Sequence, residues 1–310
     1  MTTTVISDVL SRCDFTDEGT GGAPAPVPLA VSGGPDSLAL LVLAVAAGLD
    51  PVAIHVDHGL RPGSPADAEV VASVAARLGA AFEGRSVHVE PGPDLEARAR
   101  TARYAALPPT VMTGHTMDDQ AETVLLNLLR GAGLDGMSGI RPNRPGRPRR
   151  PLIGIRRSET AAVCRDAGVE PLHDPTNGDA RFRRNRVRSE VLPLLQAIAG
   201  RDLVPVLARQ AGLFDADAGL LDDLAAGIDA GDARALQGAP SPLARRAVRR
   251  WLRQAGAFPD AELHPPSAAE VGRVLEVAAG RARACELGGG RRVERRAGRL
   301  VVTGGAPVGV

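Results

Sequence analysis

Lysine is missing from the chain: among 310 residues, all 37 basic side chains are arginine. No P-loop lysine can therefore hold a triphosphate, and no lysine amine can form a Schiff base. Aromatic residues are almost as scarce, with one Trp, one Tyr and five Phe. The core must be built from Ala, Val and Leu, and a nucleic-acid platform of stacked rings is disfavoured. The three cysteines, Cys13, Cys164 and Cys285, are widely separated and form no CxxC pair. That argues against a disulfide framework, a zinc site or a cysteine-held iron–sulfur cluster. The N-terminal stretch has neither the basic start nor the apolar segment of a signal peptide, and no apolar run reaches membrane-spanning length. The expectation is a cytoplasmic protein without a membrane partner.

What is present is unevenly distributed. The net charge of +1 hides a split: residues 1–140 carry 8 Arg against 17 Asp and Glu, whereas residues 141–200 carry 13 Arg against 6 acids. A basic segment of that density on a neutral chain suits a polyanionic partner, although solvated Arg on helix surfaces gives the same count.

After a Gly/Pro-rich lead-in at 19–28, apolar strands are expected at 27–31, 52–56, 86–89 and 110–114. They alternate with helices at 36–47, 65–78, 94–106 and 117–130. Alternation of this kind predicts an α/β fold with a Rossmann-like parallel sheet covered on both faces. Residues 141–151 (RPNRPGRPRRP) are too rich in proline for a helix or central strand and predict a mobile basic loop. A helix at 158–167 and a long one near 182–198 follow. Beyond residue 200 the pattern becomes helical, ending in a β-hairpin. Two domains are expected, 1–205 and 206–310, the second smaller and mainly helical.

Candidate chemistry gathers at the predicted strand ends, where ligands bind in such sheets. SGGPDS spans Ser32, Gly33, Gly34, Pro35, Asp36 and Ser37, between a strand and a helix. Its glycines permit a sharp turn, and the helix start presents backbone N–H groups to phosphate. Asp36 would repel a phosphate unless Mg²⁺ lay between them. HVDHGLR begins with His55 at the end of the second strand and is a weak signal alone. Gly114 and His115 open GHTMDDQAET, where Asp118, Asp119 and Glu122 reach one side of a helix start. Part of that cluster could be helix capping, but Leu125, Leu126, Leu128 and Leu129 would bury the helix behind it and aim the acids at the strand ends. Acids so aimed suit a cationic substrate or Mg²⁺. Arg100 and Arg103, in the stretch ARTARY, could clamp a phosphate or pair with the acids. After HDPTN (173–177) comes a dense stripe with Arg181, Arg183, Arg184 and Arg188, where Arg184 and Arg188 are spaced to share a helix face.

SGGPDS resembles the PP-loop of the ATP pyrophosphatases, and it is not a Walker A motif. SGGPDS, HVDHGLR, ARTARY, GHTMDDQAET, HDPTN and RRNRVR also occur in the order seen in tRNA(Ile)-lysidine synthases, over roughly residues 28–195. The resemblance implies ATP-dependent adenylation of the wobble cytidine of the isoleucine tRNA with a CAU anticodon, then attack by free L-lysine. It implies ATP contacts from the 32–37 loop, His55, Gly114 and His115, and Mg²⁺ held with help from Asp36. It further implies lysine recognition by Asp119 and Glu122, and charge neutralisation by Arg100 and Arg188 with Arg184. The basic stripe at Arg181, Arg183, Arg184 and Arg188 would meet the tRNA. One departure stands out: the family often has an aromatic residue before the DPTN element, where this chain has Leu172 and His173. At this length the chain resembles the short form of the family. Oligomeric state is open, a homodimer being one compatible assembly. The rivals are a tRNA thiolase, an amide-forming ligase on the same fold, and a nucleotide sensor without catalysis.

Overall fold

The structure is a computed structural model that describes residues 4–15, 26–57, 59, 64–89, 95–141, 147–172, 179, 181–254 and 266–304. Most of the lead-in, residues 58 and 60–61 of HVDHGLR, residues 142–146 of the Arg/Pro loop, and HDPTN lie outside the described residues. The chain divides into two compact units, Met1–Asp215 and Ala216–Val310.

The first unit runs α1 (Val5–Leu10), β1 (Val27–Ala30), α2 (Pro35–Ala46), β2 (Pro51–Asp57), α3 (Ser64–Arg77), β3 (Ala81–Ser86), α4 (Leu95–Ala105), β4 (Met112–Thr113) and α5 (Met117–Leu129). It continues through α6 (Leu134–Met137), α7 (Arg157–Asp166), α8 (Arg183–Arg186) and α9 (Leu192–Ala199) into α10 (Val204–Ala226), which crosses the boundary. The four strands are parallel in the order β3-β2-β1-β4. This is the expected Rossmann-like α/β sheet.

Helix α2 shows why the core forms there. Every residue from Leu38 to Ala44 is buried, because α2 packs on the sheet, α1 and α7. A helix that is apolar on all faces needs such a site, and each buried Leu contributes about 1.5–3 kcal/mol. Strand order reverses at β1: the chain builds outward through β2 and β3, then crosses to place β4 on the other side of β1. The carboxyl ends of β1 and β4 therefore flank the switch-point crevice in which such sheets bind ligands.

Four local expectations need correction. The third strand is Ala81–Ser86, not 86–89. It is an edge strand with mostly exposed side chains, so its position is set by pairing with Val52–Asp57 and not by an apolar pattern. The end of the Arg/Pro loop is not free: the Arg149 N–H donates to the Val111 carbonyl and its carbonyl accepts from Thr113 N, both at 2.9 Å, in a bridge beside β4. Leu128 and Leu129 are 57% and 70% exposed, because the last turn of α5 runs past the cluster that covers Ala121 and Leu125. Finally, the helix from Arg183 to Ala199 contains a π-helical turn at Val187–Val191. Arg188 lies inside this turn and is exposed, while Arg184 lies before it and is half-buried.

The second unit holds α11 (Ala233–Gly238), α12 (Ser241–Gln254), α13 (Ala268–Ala278), β5 (Ala284–Leu287), β6 (Arg291–Arg296) and β7 (Arg299–Gly304). The three strands form an antiparallel sheet in chain order, not a single hairpin. Two turns make this possible, Gly288–Gly290 and Ala297–Gly298, each entering the left-handed region. One face of α12 buries Ala244, Ala247, Val248 and Leu252 against α13 and the sheet, which leaves its arginines on the other. Among the described residues no single helix is long and apolar enough to cross a membrane.

Candidate active site

The β1 end leads directly into the glycine turn. Gly33 has φ of +87°, which favours glycine, and a Cβ there would also push the tip of the Leu172 side chain aside. Leu172, standing where the family often has an aromatic, packs on this turn, and its N–H donates to the Gly33 carbonyl at 2.9 Å. Ser37 is buried and ties the turn together, its Oγ donating to the Gly34 carbonyl at 2.9 Å and accepting from Ser32 N at 3.2 Å. Helix α2 starts with Gly34 as its cap, without a capping side chain, and with Pro35 in its first turn. The amides of Asp36 and Ser37 consequently open the helix with no intrahelical partner, as an anion site requires.

The β4 end comes up against this turn. A Cβ on Gly114 would lie 2.6 Å from the Asp36 carbonyl oxygen, so the GHTMDD segment and the SGGPDS loop touch backbone to backbone. Thr116 caps α5 in a reciprocal box with Asp119. Asp119 Oδ2 accepts from Thr116 N at 2.8 Å and from Thr116 Oγ1 at 2.9 Å, which leaves Oδ1 for other partners. Asp119 thus both caps the helix and faces the crevice.

A third helix start completes the site. Met117 N donates to the Ile155 carbonyl at 2.8 Å, which holds the start of α5 beside the start of α7. Asp118 turns toward α7: it accepts from the backbone N–H of Arg157 at 2.8 Å and pairs with Arg156 at 3.1 Å. Arg157 reaches the centre. Its Nη1 donates to Glu122 Oε1 at 2.9 Å, its Nη2 to Asp119 Oδ1 at 2.9 Å, and its Nε to Asp36 Oδ2 at 3.4 Å. Arg184 comes from α8, with Nε 2.8 Å from Glu122 Oε2 and Nη2 3.0 Å from Asp119 Oδ1. Thr160 Oγ1 donates to Asp36 Oδ1. In this cluster Asp36, Asp118, Asp119 and Glu122, with Asp202 on the far side of Arg156, face Arg156, Arg157 and Arg184, five acids to three guanidiniums.

The electrostatics follow from burial and these partners. Burial pushes the Asp36 carboxyl up, against the pull of Thr160 and Arg157. Burial also raises Asp119, but Arg184 and Arg157 outweigh it and hold its carboxyl below the usual range. Arg157 is buried yet held above its ordinary value by Glu122 and Asp119. Desolvation drives His115 down to about 3, so its ring is neutral, with Nδ1 2.8 Å from Thr113 Oγ1. Asp36 is one carboxylate at the glycine turn. Among the described residues no three His, Cys, Asp or Glu side chains gather as a metal cage. A single carboxylate of this kind fits Mg²⁺, which takes most of its ligands from phosphate and water.

Residues 20–195 match the PP-loop domain family model, and residues 232–301 match the model described as the TilS substrate binding domain. A tRNA(Ile)-lysidine synthase of Nocardia farcinica is 47% identical over 76% of this chain and 78% of its own length. The chain belongs to the tRNA(Ile)-lysidine synthase family. A second member of that family, from Mycolicibacterium paratuberculosis, is 48% identical over 74% of this chain and 75% of its own. Among solved structures, a U34-tRNA thiolase NcsA of Methanococcus maripaludis, with its 4Fe–4S cluster, covers 68% of this chain and 77% of that one. Its TM-score is 0.51 at 16% identity, which shows a shared fold only.

Against the family motifs, the structure brings Asp36, Asp119, Glu122 and Arg184 together around the switch point, with Ser32, Gly33, Gly34, Pro35, Ser37, Gly114 and His115 beside them. His55 is buried, its Nδ1 2.9 Å from the Val31 carbonyl, and braces the end of β1 from below. Arg100 is exposed and stacks on the Tyr104 ring at 5.0 Å. Arg183 and Arg188 are exposed, Arg181 pairs with Asp179 at 2.6 Å, and none of these three joins the cluster. Arg156, Arg157 and Thr160 were not singled out by the motifs. One signal could have found the arginines: two adjacent cations at a helix start oppose the helix dipole, so acids must lie close by.

Proposed function

We propose that the protein is a tRNA(Ile)-lysidine synthase that uses ATP to activate the wobble cytidine of the CAU-anticodon isoleucine tRNA and joins free L-lysine to it. The C2 carbonyl oxygen of cytosine attacks the α-phosphorus and pyrophosphate leaves. The ε-amine of lysine then adds at C2, loses a proton, and AMP departs with the oxygen. The SGGPDS turn and the open start of α2 would grip the outer phosphates, with Gly114 and neutral His115 alongside. Mg²⁺, held by Asp36 together with the phosphates, would offset the charge between them.

Asp119 and Glu122 are the groups we assign to the lysine ammonium, and one acid would take the proton of the attacking amine. Arg184, Arg100 and Arg188 would neutralise charge that develops during adenylation. Exposed Arg181 and Arg183 would meet the tRNA backbone, and the second unit would hold the acceptor stem or body of the tRNA. The observation that carries this reading is that one guanidinium, Arg157, spans Asp36 of the phosphate turn and the Asp119–Glu122 pair. A triphosphate site and a cation site are therefore one side chain apart, as transfer of an amine to an adenylated base requires.

The test is incubation with ATP, L-lysine and the CAU-anticodon isoleucine tRNA, followed by nucleoside mass analysis. A cytidine heavier by lysine less water is expected. Asp36→Ala should abolish pyrophosphate release and leave tRNA binding near wild type. Equal loss of both would show that Asp36 serves the fold and not the phosphates.

A further inference from the structure

Every oxygen that Asp119 and Glu122 could offer an incoming amine already has a partner. Glu122 gives Oε1 to Arg157 at 2.9 Å and Oε2 to Arg184 at 2.8 Å. Asp119 spends Oδ2 on Thr116 and shares Oδ1 between Arg157 at 2.9 Å and Arg184 at 3.0 Å. Both guanidiniums carry the charge sign of a lysine ammonium, so an incoming amine competes with them for these oxygens.

Arg157 is the one built to leave. It opens α7, where the helix dipole disfavours a cation, and its backbone is held separately through its N–H to Asp118. Its side chain can therefore swing without disturbing the helix. Its Nε also touches Asp36, 3.4 Å away, at the edge of the phosphate turn. A triphosphate arriving at that turn is a stronger acceptor for a guanidinium than a carboxylate already shared with Arg184.

We propose that Arg157 is an internal stand-in for the amine substrate: it fills the Asp119–Glu122 site in the free enzyme and withdraws toward the phosphates when ATP binds. The site then opens to lysine only after ATP is in place, which protects the acids from occupation in unproductive order. This inference rests on the reading of Asp119 and Glu122 as the amine site.

Calorimetric titration of the full chain with L-lysine, with and without ATP and Mg²⁺ and in the absence of tRNA, tests it. In the wild type, ATP should tighten lysine binding about tenfold or more. Tenfold is about 1.4 kcal/mol, within the worth of one charge-assisted hydrogen bond. By linkage, lysine should tighten ATP by the same factor. Arg157→Gln should bind lysine without ATP about as tightly as the wild type does with it, and the coupling should fall to near one. Lysine affinity in folded Arg157→Gln that is unchanged or weaker without ATP would overturn the inference and leave the amine site standing. No lysine binding by the wild type, even with ATP, would remove the amine site itself. If Arg157→Gln does not fold, the wild-type coupling decides: tenfold supports the inference and a factor of one ends it.

Discussion

Replacing Glu122 by Gln tests the buried charge cluster at its deepest point. The Glu122 side chain is 2% exposed and each oxygen accepts from a different guanidinium, at 2.9 and 2.8 Å. Gln has the same shape but keeps one acceptor and turns an amide N–H₂ toward the other arginine. Removing one partner of a buried ion pair costs about 3–5 kcal/mol. The loss here should be smaller, because Asp119 remains beside both arginines and Arg184, 34% exposed, can recover water. A cost of roughly 2 kcal/mol is expected, between a lost charge-assisted hydrogen bond and a fully orphaned charge. For a unit of this size that lowers Tm by about 4–8 °C, at roughly 2–4 °C per kcal/mol. Differential scanning calorimetry of the full chain should register the shift in the transition of the first unit. In turnover assays the KM for lysine should rise far more than that for ATP. An unchanged or higher Tm would mean that desolvation already cancels the attraction within the cluster, and the stability argument would fail. An unchanged lysine dependence would remove Glu122 from the amine site.

Two further outcomes follow from the same geometry. Gly114→Ala forces a methyl to 2.6 Å from the Asp36 carbonyl oxygen and 2.8 Å from its carbon, where only backbone can yield. Overpacking of that kind costs about 1–3 kcal/mol, so ATP affinity measured by titration should fall by about fivefold or more while circular dichroism stays native. His115, with its pKa depressed by burial from 6.5 to about 3, stays neutral when folded. Between those values the unfolded chain holds a proton that the folded chain does not, so stability falls as pH drops below 6.5, by up to about 1.4 kcal/mol per pH unit. Denaturant melts of His115→Asn from pH 7 to 5 should show a shallower loss than wild type. Parallel curves would mean that the ring titrates normally in the folded state.

Much of the first unit could be read from the chain itself, because its signals are local. The alternation of strands and helices, the glycines of SGGPDS and the acids of GHTMDDQAET each depend on neighbours within a few residues. Where a segment's state depends on partners elsewhere, its local pattern does not reveal it. Strand β3 has little apolar pattern and takes its position from β2, and Arg149 is drawn into a bridge beside β4 despite its proline-rich surroundings. The terminal sheet gained a third strand because two turns, not one, enter the left-handed region.

The site divides the same way. Sequence alone determined that a phosphate turn and an acid cluster sit at strand ends of one sheet. Only the tertiary structure decided that Arg157, 38 residues beyond Asp119, would stand between them. Which cation fills a buried cluster of acids depends on Coulomb attraction acting over a few ångströms of space. Packing of α7 against α2 sets those distances, and spacing along the chain does not.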